Sequence, residues 1–359
     1  MTQSLGSEDH SNRKFKEVSD YYGRILESSK DLKTDACCTT DPPPPHVKEI
    51  LKNIHPEITN RYYGCGLVIP AKLNHQKILD LGCGTGRDVY LLSALAGPDG
   101  FVTGVDMTEE QLEIATKNID YQSKKFGYSR PNVDFKLGNI ELLDQIGIKP
   151  SFYDIVVSNC VLNLSPQKEQ VMKQVYKALK SGGEMYFSDV YSDRRIPQEL
   201  RDDPVMYGEC LSGALYWNDF LALAKKCGFG DPRLVEHRPL AIQNTAIKEK
   251  LGAIKFQSAT YRLFKIPELE PHCEDHGQAA MYMGTTRYYP NSLIFDRDNI
   301  FDKGRVVPIC GNTFRMLSES RYKNDFKLIG DFDTHFGHFA GCQIANPFDR
   351  EVEKESPCC

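Results

Sequence analysis

Twelve cysteines stand in a chain of 359 residues, and the setting of a few of them is the first sign of chemistry. In VVSNCVLNL, Val156 to Leu164, an apolar strand-like run ends on Ser158, Asn159 and Cys160, so a soft, oxidisable thiol occupies the point where a strand should meet a ligand. Cys65 in RYYGCG and Cys210 in GECLSG are two further candidates. The N-terminus MTQSLGSEDHSNRKFK lacks the apolar core of a secretory signal, and no later stretch nears the roughly 18 uninterrupted apolar residues of a membrane span. A cytoplasmic address is therefore expected. Thiols are held reduced there, which argues against a disulfide scaffold and for reactive or ligand thiols. Thiolates select soft, thiophilic centres over hard cations.

The elements that must position these thiols follow from periodicity. In FKEVSDYYGRIL, Phe15, Val18, Tyr22 and Ile25 recur at helical spacing. Past Pro42 to Pro45, which cannot be helical interior, HVKEILKNI resumes a helix with Val47, Ile50, Leu51 and Ile54 on one face. From Lys77 the rhythm is strict. Strand KILDL, helix RDVYLLSALA stopped by Gly97-Pro98, strand FVTGVD and a helix over 109–126 come first. Strands NVDFKLG and YDIVVS, helix QKEQVMKQVYKALK closed by Gly182-Gly183, and strand EMYFSDV follow. Such alternation over about 110 residues predicts a parallel doubly wound sheet. RLVEHRPL and SATYRLFKI are candidates to complete it, and the part from about Pro267 onward, rich in Tyr, Gly, His and Pro, reads as a small separate domain of short strands.

The first strand runs into ILDLGCGTGRD, where Gly82, Gly84 and Gly86 let the backbone turn tightly and approach a ligand over the N-terminus of the next helix. The spacing is G-x-G-x-G, Asp80 precedes it, and Asp106 closes the second strand, placed to accept both hydroxyls of a ribose. Over residues 70 to 265 the chain thereby resembles the class I methyltransferases, with their D-x-G-x-G-x-G after strand one and an acidic residue after strand two. The resemblance implies an α/β fold, a doubly wound, mostly parallel Rossmann-like sheet, to which the C-terminal part adds a small α+β domain. It also implies S-adenosylmethionine as cofactor, held by Asp80, Gly82, Cys83, Gly84, Gly86, Asp106 and Met107. Asn139, Ile140 and Glu141 fall where that superfamily contacts the adenine, and Asn159 where it contacts the cofactor. Tyr63 and Gly64 are expected beside the same site, with Tyr62 or Tyr63 covering the sulfonium by a cation-π contact.

Ligands of an open parallel sheet bind beyond the carboxyl ends of its strands, and that rule sorts the cysteines. Cys160 directly follows strand four, Cys210 lies in the loop after strand five, and Cys65 is on the segment entering strand one. Cys83, inside the glycine loop, and Cys227, near a helix end, read as structural. Three rim thiolates around trivalent arsenic would leave its lone pair on the fourth side. A nucleophile without a proton needs no general base, so catalysis reduces to alignment and exclusion of water, worth up to ~7 to 11 kcal/mol. LKTDACCTT, RYYGCGLVIP, VVSNCVLNL and SDVY followed by GECLSGALYW resemble the arsenite methyltransferases, across nearly the whole chain. That resemblance implies four working cysteines, on Cys37, Cys65, Cys160 and Cys210: Cys160 and Cys210 as lasting arsenic ligands, with Cys65 and Cys37 joining them or closing a disulfide. Cys38 adjoins Cys37 and is an alternative to it, the Cys-Thr-Thr register favouring Cys37. The arsenic(III) ligand set is accordingly Cys65, Cys160 and Cys210.

Arsenite or its glutathione complex is then the implied substrate, and thioredoxin or glutathione the implied reductant. A net charge of -5 provides no basic field, so neither nucleic acid nor membrane is expected as a partner, and a monomer is expected. HFGHFAGC offers His335, His338 and Cys342 at ligand-like spacing, but without a C-x-x-C or a fourth ligand no structural metal is expected. The chain divides into an N-terminal helical segment with a cysteine loop at 1–69, a cofactor-binding core at 70–195, an arsenic-binding insertion with the last strands at 196–266, and a C-terminal domain at 267–359 with a Cys-rich tail that holds the vicinal pair Cys358-Cys359. Two other functions stay open at this stage. One is methylation of a small organic acceptor, for which Glu209 is the nearby base; the other is a non-catalytic metalloid-binding protein, to which the glycine loop would be useless.

Overall fold

Ile78, Leu79 and Leu81 are buried on both faces of β1 (Lys77–Leu81), which is why this strand reads as a continuous apolar run rather than an alternation. The computed structural model describes residues 15, 18, 20, 21, 42–61, 66–203, 206, 207 and 210–340. β1 pairs in parallel with β2 (Phe101–Asp106) on one side and β4 (Tyr153–Asn159) on the other, and β3 (Val133–Leu137) flanks β2. β5 (Leu179–Ser192) follows β4 in parallel, with β6 (Leu215–Tyr216) at its end, while β8 (Phe256–Phe264) and β7 (Arg233–Pro239) continue the sheet antiparallel. The order is β3-β2-β1-β4-β5-β8-β7. Its direction of winding reverses between β1 and β4, and the carboxyl ends of those two strands border the crevice where such sheets bind ligands.

Two local expectations are corrected. The helix over 109–126 is two helices, Glu109–Lys117 and Ile119–Lys125, because the Asn118 amide donates to the Ile114 carbonyl at 2.8 Å and breaks the ladder. Gly182-Gly183 does not close a helix. The helix ends at Ala178, and both glycines lie in β5, where Gly182 has φ +71° and a Cβ there would sit 1.9 Å from the Glu319 carbonyl oxygen. RLVEHRPL and SATYRLFKI complete the sheet. Of the N-terminal amphipathic helix, Phe15 and Val18 are helical, and Pro45, excluded from a helix interior, opens the helix Pro45–Leu51, where its missing N–H costs nothing.

The C-terminal part is built of short antiparallel strands, including the three-stranded β13-β10-β14 (Val306–Pro308, Ala279–Tyr282, Phe326–Ile329), and the helix Gly311–Ser318. Its apolar cluster, with Phe295, Phe301, Tyr282 and Tyr322, runs into Phe264 at the end of β8. A buried charge network joins it to the sheet. Glu184 on β5 receives Arg262 Nε at 2.7 Å and is also paired with Arg321, while Arg262 donates to the Tyr322 hydroxyl at 2.9 Å and Arg321 to the Ala71 carbonyl at 3.0 Å. Burial alone would raise the Glu184 carboxyl, but the two guanidiniums hold it below the usual carboxylate range.

Removing one partner from such a pair leaves a buried charge under-compensated. Arg262→Leu is expected to lower the unfolding free energy of the full chain by about 3 to 5 kcal/mol. Denaturant unfolding would measure it, and a loss below ~1 kcal/mol, the scale of a surface pair, would show that the network does not hold the two parts together.

Candidate active site

The turn after β1 is set by three glycines in the left-handed region, Gly82, Gly84 and Gly86, with φ of +70°, +53° and +82°. A Cβ at Gly82 would lie 2.4 Å from Val161, so the first of them exists to let β1's exit pass the loop after β4. Around Gly84 the nearest atom to a Cβ is Gln111 Oε1 at 4.0 Å, which leaves an open cradle. Asp106 braces this loop. Its carboxylate accepts the Gly84 N–H at 2.8 Å and the Thr108 N–H at 2.9 Å, and retains lone pairs for further donors.

A cavity of about 1020 Å³, open to solvent, lies above the turn. Asp80, Gly82, Cys83, Gly84, Asp106, Met107, Ile140, Glu141, Asn159 and Cys160 all line it, as the sequence implies. Gly86 instead caps the helix Arg87–Ala96, and Asn139 precedes the 3-10 turn Ile140–Leu142 without lining the cavity. Sequence reasoning missed Asp88, Thr108, Gln111 and Ser165 on the same wall. Asp88 and Gln111 face it from the first turns of the helices after β1 and β2, a position that the strand-helix register could have flagged. The wall is acidic: burial, with Asp88 and Asp106 nearby, holds the Asp80 carboxyl well above its usual range, and burial raises Glu141 despite its bond from Ser165. Asp88 Oδ1 is buried without a hydrogen bond. That oxygen is 3.6 Å from Arg87 Nε, and four carboxylates against Arg61 and Arg87 leave a wall that suits a ligand carrying positive charge.

Cys160, which lines the cavity, follows β4, and Cys210 stands beyond β5 in the chain. Both sulfurs and an Asp189 carboxylate oxygen lie within 4.8 Å of one another, all three residues buried. Both cysteines hold left-handed backbones, φ +58° and +61°, a costly conformation for a side chain with Cβ that persists only where the surroundings enforce it. The Cys210 thiol donates to the Cys160 carbonyl at 3.2 Å. Cys160 is disulfide-bonded, whereas Cys83, Cys210, Cys227, Cys273 and Cys310 are not. Burial pushes Asp189 up to about 7, opposed by N–H donors from Val190 and Asn163. Burial also pulls the Lys168 ammonium down to about 8, against the attraction of Asp189 and Cys210.

Cys37, Cys38, Tyr62, Tyr63, Gly64, Cys65, Glu209, Cys342, Cys358 and Cys359 lie outside the described residues. Gly66, next to Cys65 in sequence, has its carbonyl held by the Asn159 amide at 2.9 Å. Cys83 is packed against Gly104 and its thiol is raised well above the usual range by burial and two carboxylates, in keeping with a structural role. His335 is paired with Glu274 at 3.3 Å, and among the described residues the one triad of converging donors is Cys160, Asp189 and Cys210. No helix among them is long and apolar enough to cross a membrane.

Comparison with known proteins follows these lines. Residues 72–228 match the family described as methyltransferase domain, and residues 275–356 the arsenite methyltransferase C-terminal domain. An arsenite methyltransferase of Aquipseudomonas alcaligenes is 51% identical over 95% of this chain and 99% of its own, and that of Homo sapiens 44% identical over 95% and 92%. The X-ray structure of an arsenic(III) S-adenosylmethionine methyltransferase from Chlamydomonas reinhardtii superposes with a TM-score of 0.81 at 45% identity, covering 83% of this chain and all of that one. With this identity sustained over 95% of its length, on a sheet that turns its glycine loop and Cys160 toward one cavity, the chain belongs to the arsenite methyltransferase family of S-adenosylmethionine-dependent enzymes.

Proposed function

We propose that this protein methylates trivalent arsenic, taking arsenite or its glutathione complex to mono- and dimethylated products. The observation that carries the reading is the meeting of Cys210 with Cys160, within 4.8 Å, where Cys160 lines the cavity that contains the glycine loop. Once an external thiol such as glutathione or thioredoxin has reduced the disulfide at Cys160, arsenic exchanges its oxygen or glutathione ligands for the sulfurs of Cys160 and Cys210, with Cys65 as third ligand. The held arsenic keeps its lone pair directed away from the sulfurs.

The cavity fits the cofactor on its own features: the open cradle at Gly84 and the excess of the carboxylates Asp80, Asp88, Asp106 and Glu141 over the guanidiniums Arg61 and Arg87 suit a sulfonium and an ammonium. Asp80, Gly82, Cys83, Gly84, Asp106 and Met107 would hold it, with Ile140 and Glu141 toward the adenine and Tyr63, Gly64 and Asn159 beside the reacting end, while Gly86 and Asn139 would shape the loops from behind. When bound, S-adenosylmethionine would supply an electrophilic methyl group to the arsenic lone pair, its sulfonium becoming the neutral thioether. No protein base takes part because arsenic carries no proton. The buried, apolar surroundings of the thiols exclude water and align the two centres.

Methylation formally raises arsenic to the pentavalent state. Two thiolates return two electrons and become a disulfide, Cys37 with Cys65 being the pair implied by the sequence. The disulfide at Cys160 supports a wider exchange among these thiols. An external dithiol such as thioredoxin, or glutathione, reopens it through a mixed disulfide.

Three outcomes follow. Cys160→Ser and Cys210→Ser are expected to yield no methylated arsenic by mass spectrometry from labelled S-adenosylmethionine, arsenite and glutathione, while still binding the cofactor; normal turnover in either variant would defeat the ligand assignment. Gly82→Ala drives a Cβ onto Val161 and imposes a strained φ, and is expected to weaken cofactor binding about tenfold to a hundredfold in calorimetric titration. A raised Asp80 carboxyl is still partly protonated in the empty site, and a bound cation favours its ionised form. Cofactor binding should therefore release protons, and affinity should rise with pH up to the Asp80 pKa of the empty site. Calorimetry in buffers of different ionisation enthalpy that shows no proton release would exclude this role.

A further inference from the structure

We infer that Asp189 is a positioning residue for arsenic capture, tying the loop that carries Cys160 to β5 so that its Asn163 packs on the loop that carries Cys210, and so setting the distance between their sulfurs. The inference rests on the reading of those two cysteines as arsenic ligands. Asp189 is 1% exposed at the end of β5, and its two oxygens are taken up by three donors. Oδ1 accepts from Asn163 Nδ2 at 2.7 Å and from the Val190 N–H at 2.8 Å, and Oδ2 from the Asn163 N–H at 3.0 Å.

Asn163 stands three residues after Cys160, and it carries the connection onward. Its carbonyl receives the Lys168 ammonium at 3.1 Å and lies against Gly213, where a Cβ would be 2.1 Å from that oxygen. Gly213 stands three residues after Cys210. The two cysteine loops are thus interlocked through Asn163, and Asp189 fixes Asn163 from beneath at both its backbone and its side chain. The segments also meet through the Tyr207 hydroxyl on the Leu164 carbonyl at 2.9 Å and the Cys210 thiol on the Cys160 carbonyl, the latter of which arsenic binding to that sulfur would remove. The Asp189 link then remains to hold two left-handed cysteines that would otherwise relax toward extended backbones.

Asp189 acts through the loops rather than as a ligand. Trivalent arsenic is soft and selects sulfur, and a carboxylate already holding three N–H groups would have to give them up to bind it. The consequence is chelation: two sulfurs at a fixed separation capture arsenic together, whereas two wandering ones capture it singly.

Asp189→Asn keeps the shape but turns an acceptor into a donor that faces Asn163 or Val190. In the reduced full chain, the KM for arsenite is expected to rise about tenfold or more, with kcat changed less and the dissociation constant for S-adenosylmethionine kept within about twofold, as a misplaced binding group predicts. Asn163→Ala, which removes the side-chain half of the link, should move the same quantities in the same direction by a smaller factor. Wild-type arsenite affinity in both variants would overturn the inference, as would a loss of cofactor binding in parallel, which marks general unfolding. Cys210→Ser, measured alongside, separates the two levels: if it binds arsenite like wild type, the ligand reading itself falls. If it does not bind while both loop variants do, only the role of Asp189 falls.

Discussion

The parallel pairing of β1 with β4 is the constraint on which the rest depends. Leu81 stands opposite Ser158 in that register, so the glycine turn and the Asn159-Cys160 step leave the sheet side by side. Gly82 must then be glycine, because Val161 occupies the space of its Cβ. One register brings a loop built for a cationic cofactor and a loop built for a soft metalloid to a single rim, and each is shaped by the other's presence.

The site separates two kinds of donor. Carboxylates gather at the cofactor end, where burial raises Asp80 and Glu141 and leaves Asp88 with an oxygen that accepts no hydrogen bond. Thiols gather among Leu164, Ile196, Met206 and Leu211, a poor solvent for hard ions. Among the described residues the carboxylate beside both sulfurs is that of Asp189, which is engaged with N–H groups of Asn163 and of Val190. Hard and soft partners therefore have different places to go, and the thiols carry the cost of the arrangement as left-handed backbone.

The C-terminal part is held by a different device. Glu184 sits on β5, five residues before Asp189, and its two guanidiniums come from β8 and from the segment after the last long helix. Nothing in the local sequence marks this network, since a Glu, two Arg and a Tyr spread over about 140 residues have no periodicity to reveal them. The same applies to Gly182, whose neighbour is a carbonyl far along the chain.

Much of the molecule was nonetheless legible beforehand. Apolar runs and glycine stops specified the strands of the parallel core in order, and the D-x-G-x-G-x-G spacing with Asp106 identified the loop and its bracing acid, because these are short-range patterns with local causes. The rim position of Cys160 followed from its place after a strand. The break at Asn118 and the entry of Gly182-Gly183 into β5 did not follow, since a side-chain bond and a close backbone approach override propensity there. Asp88 and Gln111 escaped because their roles depend on which face of a helix meets the cavity. The sequence by itself determined which residues could do the chemistry. Only the tertiary structure decided that Cys160, Asp189 and Cys210, from separate loops and strands, stand within 4.8 Å, because that distance is fixed by packing between segments remote in the chain and not by any property of the segments alone.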